Sequence, residues 1–352
     1  MIILHIDFEK TWRGGQQQLL WLLEELEKKG HKNFVLCQPR SALLAKLQKN
    51  FFSIKMFFEF DPFTIYRTAK IIDKIKPDIV HLHSAHAHTI GLLASKILKH
   101  KPKLVSSRRV DFHIKSLWKY KNVDRIIAIS EGVKKVLVED GIPDAEISVV
   151  YSGVDLSRFE NISSDYLFKE LEIDKNNNIV GIIASLAPHK DHKNFLQAAA
   201  IIKEKLPNTK FLVVGEGKLK NALIRIAEKL KIFDSVIFTG FRNDVPQLLS
   251  IFNVFVLSSY LEGLCTSVID AMASCVPVVA TNVGGVGELV ADGVNGFLVP
   301  PRNPELLAEK TIKILTEKNL QQKFSQNSKI KSKNFSKEKM VEKTEKIYFG
   351  LL

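Results

Sequence analysis

Residues 178–205 read NIVGIIASLAPHKDHKNFLQAAAIIKEK: an apolar run, a short polar loop, then a stretch whose apolar residues recur at helical spacing. An unbroken apolar run suits a strand buried on both faces, and a helix returning after it makes one βα unit of a parallel sheet. The same alternation continues downstream through KFLVVGEG, SVIFTG, VFVLSS and VPVVAT. It also runs upstream through IILHI, NFVLC, DIVHLH and RIIAIS, each followed by an amphipathic stretch (QQLLWLLEELEKKG, SALLAKLQK, TIGLLASKILK and EGVKKVLVEDG). Two α/β halves are therefore expected in series. Between them, VVYSGVDLSRFENISSD (149–165) breaks the periodicity with turn residues. The expected divisions are 1–160, 161–335 and a last helix over 336–352 that packs back on the first domain. Two doubly wound, Rossmann-like domains predict a cleft faced by the C-terminal edges of both sheets, with ligands in the loops after the strands.

Length and composition agree with this. At 352 residues the chain exceeds one comfortable core, and its 45% apolar content is that of a globular protein. Three scattered cysteines without CxxC spacing point to a reducing cytoplasm. MIILHIDFEK reads as a first strand and not as a signal peptide, and no run of about 18 apolar residues occurs. The net charge of +13 is uneven: residues 1–150 hold 25 basic against 16 acidic side chains, and the remainder 26 against 22. A basic first half suggests an anionic partner such as a phosphorylated lipid, a membrane surface or nucleic acid, or else no more than a soluble Lys-rich surface.

The loops carry the chemistry. In EGLCTSVIDAMASC (262–275), Glu262 and Asp270 flank small and hydroxyl residues at a helix start, where unpaired backbone NH groups attract anions. Thr266 and Ser267 are the expected N-caps, with Asp270 on the first turn; Ser267-x-x-Asp270 also reads as a capping box, which leaves Glu262 unexplained. Lys190, after a second-half strand, offers a point charge for a diphosphate, or lies exposed beside a helix capped by Asp191 or Asn194. Gly14-Gly15 behind Arg13, and Gly215 of GEG, allow close backbone approach, or simply tight turns. WRGGQQQ lacks the GxGxxG dinucleotide spacing. SSRRVDFH places Arg108, Arg109, Asp111 and His113 at a strand end, suited to phosphate or carboxylate, or to an Arg paired with Asp111. HLHSAHAH holds His81, His83, His86 and His88, the latter two placed in a turn. Without neighbouring Cys or acidic ligands these read as polar lining of the cleft, not as a zinc site.

Together these pieces resemble the retaining GT-B glycosyltransferases of family 4. The motifs are Y-SGVD-L-RF (151–159), AS-LAPHKDH, VVGEG, FTGFRNDVP, FVLSSYLEGLCTSVIDAMAS, PVVATNVGGVGEL and NGFLVPPRNPELLA. The resemblance implies an acceptor-binding first domain, a nucleotide-sugar-binding second domain, and sugar transfer to a lipid-linked or cell-surface glycan. Glu262 would face the donor sugar, Asp270 the ribose, and Lys190 the diphosphate. Gly15, Gly263, Leu264, Cys265, Thr266, Ser267, Gly215 and Phe241 would line the donor site. Gly284, Gly285 and Glu288 match a GG-x-x-E loop. Gly14, Arg13, His83, Arg108, Arg109 and His113 are candidates for acceptor or phosphate. No metal or other cofactor and no nucleic acid is expected, and an anionic membrane surface is. The chain is expected in the cytoplasm, peripheral to the inner face of the membrane. Departures from the pattern are Asp270 for Glu, Ser185 for Arg, Cys275 for Gly and Ser152 for Asn. Ser185 and Asp270 motivate a non-catalytic sugar-nucleotide binder as an alternative, and the shared architecture a nucleotide-sugar epimerase.

Overall fold

The computed structural model describes all 352 residues. They form two compact units, Met1–Gly153 with Lys337–Leu352, and Val154–Ser336. The first is built on β1 (Ile2–Asp7), β2 (Lys32–Cys37), β3 (Phe51–Ser53), β4 (Ile79–Leu82), β5 (Lys103–Arg108), β6 (Arg125–Ala128) and β7 (Ile147–Val149), in the order β3-β2-β1-β4-β5-β6-β7. Every pairing is parallel. The order reverses direction between β1 and β4, so the loops after those two strands open the crevice where such sheets bind ligands.

Sequence periodicity misplaced parts of this unit. SALLAKLQK forms only a 3-10 turn at Leu44–Lys46. The longer helix of that connection is Pro62–Ile75, started by buried Asp61, whose side chain accepts from the Phe63 NH at 3.0 Å. That helix escapes a periodicity reading because Phe63 and Tyr66 on its outer face blur the contrast with buried Thr68, Ala69 and Ile72. His86 and His88 lie within helix Ala85–Lys96, not in a turn. The last helix, Lys337–Phe349, packs on helix Gly14–Lys28, where Glu345 pairs with Lys29 at 2.6 Å and His31 at 2.7 Å. Tyr348 is fully buried in the same unit.

The second unit carries β8 (Asn178–Ile183), β9 (Thr209–Val214), β10 (Val236–Gly240), β11 (Val254–Leu257), β12 (Val278–Thr281) and β13 (Gly296–Val299), ordered β10-β9-β8-β11-β12-β13 and again wholly parallel. All residues of β11 and β12 are buried, which is why they read as continuous apolar runs. Each such Val or Leu contributes roughly 1.5–3 kcal/mol of burial. The reversal point here lies between β8 and β11.

Candidate functional site

The two loops that meet at the second reversal point carry Lys190 and Glu262. β8 runs into a 3-10 turn, Pro188–Lys190, and then into helix His192–Lys205, capped by Asp191. Lys190 is thereby held at the strand's C-terminal edge. β11 ends at Leu257, and Ser258 Oγ donates to the Lys190 carbonyl at 2.9 Å. The Tyr260 NH donates to the His189 carbonyl at 2.9 Å. With the loops so tied, Lys190 Nζ lies 2.5 Å from Glu262 Oε1, the side chains being 16% and 7% exposed. Ser259 Oγ, fully buried, donates to the same Glu262 oxygen at 2.7 Å. The Thr281 hydroxyl anchors the Ser259 carbonyl at 2.5 Å, and the Gly285 NH donates to Gly263 at 3.2 Å, joining the loop after β12 to the site. Ser259 was not singled out in the sequence. Its signal was its place three residues before Glu262, on the short turn out of a buried strand.

The helix that follows differs from expectation. It spans Thr266–Ala273, and its N-cap is Cys265, with φ of 74° and no capping side chain. Thr266 and Ser267 are therefore its first two residues, and Asp270 belongs to its second turn. The capping-box reading fails with that register. The left-handed backbone at Cys265 lets the chain turn sharply out of Glu262-Gly263-Leu264, at the strain a non-glycine residue meets there. No side chain caps this turn, and the Val268 NH donates to the Cys265 carbonyl at 3.2 Å; the leading NH groups of a helix have no partner within it. Asp270 Oδ1 is buried without a hydrogen-bond partner. Burial raises its carboxyl to about 7, only partly opposed by Arg158. Burial, with the Glu262 charge adding, pushes the Cys265 thiol up to about 11.

At Gly215 φ is 138°, and an added Cβ would lie 2.0 Å from the Ala184 carbonyl oxygen. This glycine closes the β9 loop onto the β8 loop. Phe241 is 63% exposed, while its neighbour Arg242 is committed to Asp244 at 2.6 Å and to Glu170. Ser185 is exposed.

In the first unit, Gly14 and Gly15 open helix Gly14–Lys28 with Arg13 as N-cap. An added Cβ on Gly15 would lie 3.3 Å from Arg109 Cδ, so this loop lies against Arg109. The histidines form a different group from the one the sequence suggested: His5 joins His81 and His83, while His88 bonds the Lys119 carbonyl at 3.0 Å. Asn33 Nδ2 donates to the Leu23 carbonyl, leaving Oδ1 to accept from His5 Nε2 at 3.3 Å. His5 Nδ1 then accepts from His83 Nε2 at 3.1 Å, and His83 Nδ1 faces Arg109 Nη2 at 3.4 Å. This order assigns both tautomers. His81 lies between Tyr348 Oη at 2.5 Å and Ser107 Oγ at 2.8 Å. Burial lowers His5 to about 4 and holds His81 and His83 well below the usual imidazole value. All six ring nitrogens are thus engaged, and the Arg109 guanidinium adjoins the group. Arg109 Nε is buried with no hydrogen-bond partner, and burial lowers this side chain to about 10. Arg108 instead bonds Tyr120 Oη at 3.1 Å and the Phe112 carbonyl, and His113 pairs with Asp140 at 2.7 Å.

Two doubly wound, wholly parallel units in series are the architecture of the GT-B fold. Comparison with known proteins places the chain within it. Residues 163–331 match the family model "Glycosyl transferases group 1" and residues 12–158 match "Glycosyltransferase Family 4". The chain belongs to these GT4-type glycosyltransferases. It is 26% identical over 303 residues to the UDP-Gal:alpha-D-GlcNAc-diphosphoundecaprenol alpha-1,3-galactosyltransferase of Escherichia coli, covering 80% of this chain and 78% of that one. It is 28% identical over 294 residues to the N,N'-diacetylbacillosaminyl-diphospho-undecaprenol alpha-1,3-N-acetylgalactosaminyltransferase of Campylobacter jejuni, covering 76% and 77%. The Anabaena protein HepE, solved in complex with UDP and glucose, superposes with a TM-score of 0.86 at 22% identity, over 99% of this chain and 100% of that one.

Proposed function

We propose that this glycosyltransferase moves a sugar, with retention of anomeric configuration, from a nucleotide-diphosphate sugar to a lipid-linked glycan acceptor. The carrying observation is the Lys190–Glu262 pair held by Ser259 at the reversal point of the second sheet. In this reading the bond from the anomeric carbon to the diphosphate breaks with its electron pair going to the phosphate oxygen, while an acceptor hydroxyl oxygen forms the new bond and its proton passes to that departing phosphate oxygen. Lys190 and the NH groups at the start of helix Thr266–Ala273 stabilise the departing diphosphate, so no metal is required. Glu262 accepts from donor-sugar hydroxyls, and Asp270 from the ribose. A lipid-diphosphate acceptor is supported by the two bacterial relatives, whose names specify diphosphoundecaprenol acceptors. UDP is the first donor base to examine, because it is named for the Escherichia coli relative and bound in HepE.

The test is incubation of UDP-hexoses with short-chain prenyl-diphosphate acceptors in EDTA. The expected result is a mass gain of one sugar and an anomeric proton coupling that matches the donor. Consumption of donor with no acceptor present would replace transfer with epimerisation.

Two site residues give separate expectations. Ser259→Ala removes a buried hydroxyl donor to Glu262 Oε1 and loosens the carboxylate's orientation against Lys190. A kcat loss of about tenfold is expected, with the nucleoside-diphosphate Kd unchanged. An equal loss in nucleotide binding would show a merely structural role.

Asp270 bears on pH. Its folded-state value of about 7 lies above the ordinary carboxyl range, so its neutral form is favoured in the free protein. The stability this neutral form contributes is full below about pH 4 and is lost as pH rises through about 7. Ribose hydroxyls donate best to the ionised carboxylate, so nucleotide binding at pH 6 should release a proton. Calorimetry in buffers of different ionisation enthalpy should detect that release at pH 6 and not at pH 9, and Asp270→Asn should abolish it. A buffer-independent enthalpy at pH 6 would rule out Asp270 as the ribose ligand.

A further inference from the structure

A parallel sheet covered on both faces is expected to be apolar inside, yet three imidazoles lie at the centre of the first one. His5 faces His81 across the pairing of β1 with β4. His83 comes two residues later on the same face, its NH continuing the ladder to the Ile6 carbonyl at 3.0 Å. All three are buried. Buried polar groups cost free energy unless they are hydrogen-bonded, so the order in which these rings bond is informative.

The bonds run one way. Arg109 Nη2 donates to His83 Nδ1 at 3.4 Å, and His83 Nε2 to His5 Nδ1 at 3.1 Å. His5 Nε2 donates to Asn33 Oδ1 at 3.3 Å, and Asn33 Nδ2 to the Leu23 carbonyl at 3.4 Å. A guanidinium can only donate, so the Arg109 end by itself demands a bare His83 Nδ1, and each later step follows. The Asn33 end, its amide set by Leu23, dictates the same order. Donors aligned head to tail polarise one another, which strengthens the hold on Arg109. His81 adds a further constraint. Bonded to both Tyr348 and Ser107, its ring lies 3.9 Å from that of His83, centroid to centroid, and keeps the His83 plane from turning.

What this chain of bonds holds is a cation that lacks an anion. Asp7 is the acid whose charge reaches Arg109, but its oxygens are committed to Gln16 Nε2 at 2.7 Å and the Glu9 NH at 3.0 Å. Arg109 Nε is buried with no partner, beside Gly15 in the loop after β1, at the reversal point of this sheet. A guanidinium so placed suits an anionic oxygen of a substrate. In the transfer proposed above, both substrates carry a diphosphate.

We propose that His5 and Asn33 are positioning residues for sugar transfer: acting through His83, they fix the angle at which the Arg109 guanidinium presents its free Nε–H to the diphosphate of a substrate. This rests on the transferase reading and adds to it the bonds that aim one of its cations. The test uses the full chain, with nitrogen NMR of labelled histidines to read the tautomer of each ring, and calorimetry with UDP and with a short-chain prenyl diphosphate. In the parent, His83 is expected wholly as the Nε2–H tautomer. His5→Leu should abolish that single tautomer and weaken one of the two ligands by about tenfold. Weaker UDP would assign Arg109 to the donor diphosphate, and a weaker prenyl diphosphate to the acceptor. His5→Asn keeps an oxygen where Nδ1 stood, so it should restore both the tautomer and the affinity to within about twofold. Asn33→Leu, farther from Arg109, should act in the same direction and carries the comparison if His5→Leu melts early. Affinities for both ligands that His5→Leu and Asn33→Leu leave unchanged overturn this proposal alone. So does an Nδ1–H tautomer of His83 in the parent, or a loss in His5→Asn equal to that in His5→Leu, which would show a packing role only. A parent that binds neither ligand would remove the transferase reading as well.

Discussion

Lys190→Ala is expected to lower kcat by about a hundredfold to a thousandfold, the scale on which removal of one preorganised charge from a developing anion acts. The physical reason is specific to this loop. The ammonium is held at the β8 edge by the Pro188–Lys190 turn and by Ser258 on its carbonyl, so it need not reorganise when charge develops on the diphosphate. The substitution also takes the cation from a carboxylate that is only 7% exposed. Breaking a buried pair costs about 3–5 kcal/mol, less where another donor remains, as Ser259 does here. Stability must therefore be measured beside rate. Lys190→Met combined with Glu262→Gln removes both charges and should recover the melting temperature without recovering turnover. Lys190→Arg should regain part of the rate, limited by the planar fork's different reach. If Lys190→Ala kept kcat within about threefold of the parent, the role given to this side chain would be wrong.

The second large effect concerns folding. Gly215→Ala should destabilise the chain by more than about 3 kcal/mol, because two penalties coincide. Its φ of 138° is strained for any L side chain, and the new Cβ would meet the Ala184 carbonyl oxygen at 2.0 Å and its carbon at 2.9 Å. Both obstacles are backbone, which no rotamer change can move. Relief requires the β8 and β9 loops to part, carrying the Ser185–Lys190 segment out of register with Glu262. UDP affinity should fall with stability. Gly293→Ala is the matched control: it also has positive φ, at 70°, but no atom lies within 4 Å of the added carbon. That change should cost only about 1 kcal/mol. Equal denaturation midpoints for the two variants would show that contact with Ala184 does not matter.

How legible the site was depended on whether the information was local. Glu262, Asp270 and Lys190 could be picked out because each follows an apolar run that announces a buried parallel strand, and strand ends are where such sheets place their chemistry. Ser259 was not, since a serine beside a strand has many roles and only the oxygen it donates to distinguishes them. The helix start at residue 266 was misread for a related reason. Thr and Ser are good caps on average, yet the turn out of Glu262 places Cys265 at the cap with left-handed backbone, which loop closure demands and no propensity foretells. The histidines show the same limit over a longer range. Local density grouped four residues of one segment, whereas pairing of β1 with β4 brings in His5 and leaves out His86 and His88.

By itself the sequence determined the α/β alternation, the parallel character of both sheets, and the candidates Lys190, Glu262 and Asp270. Those follow from apolar periodicity and residue chemistry, which are properties of neighbours along the chain. Only the tertiary structure decided that Lys190 and Ser259 meet on one oxygen of Glu262, that Asp270 Oδ1 is buried without a partner, and that Phe57, Phe58, Phe60, Phe63 and Tyr66 remain outside the core. These depend on which strands become adjacent and which faces are covered. Strand order is chosen by the packing of the whole sheet, over separations that periodicity does not reach.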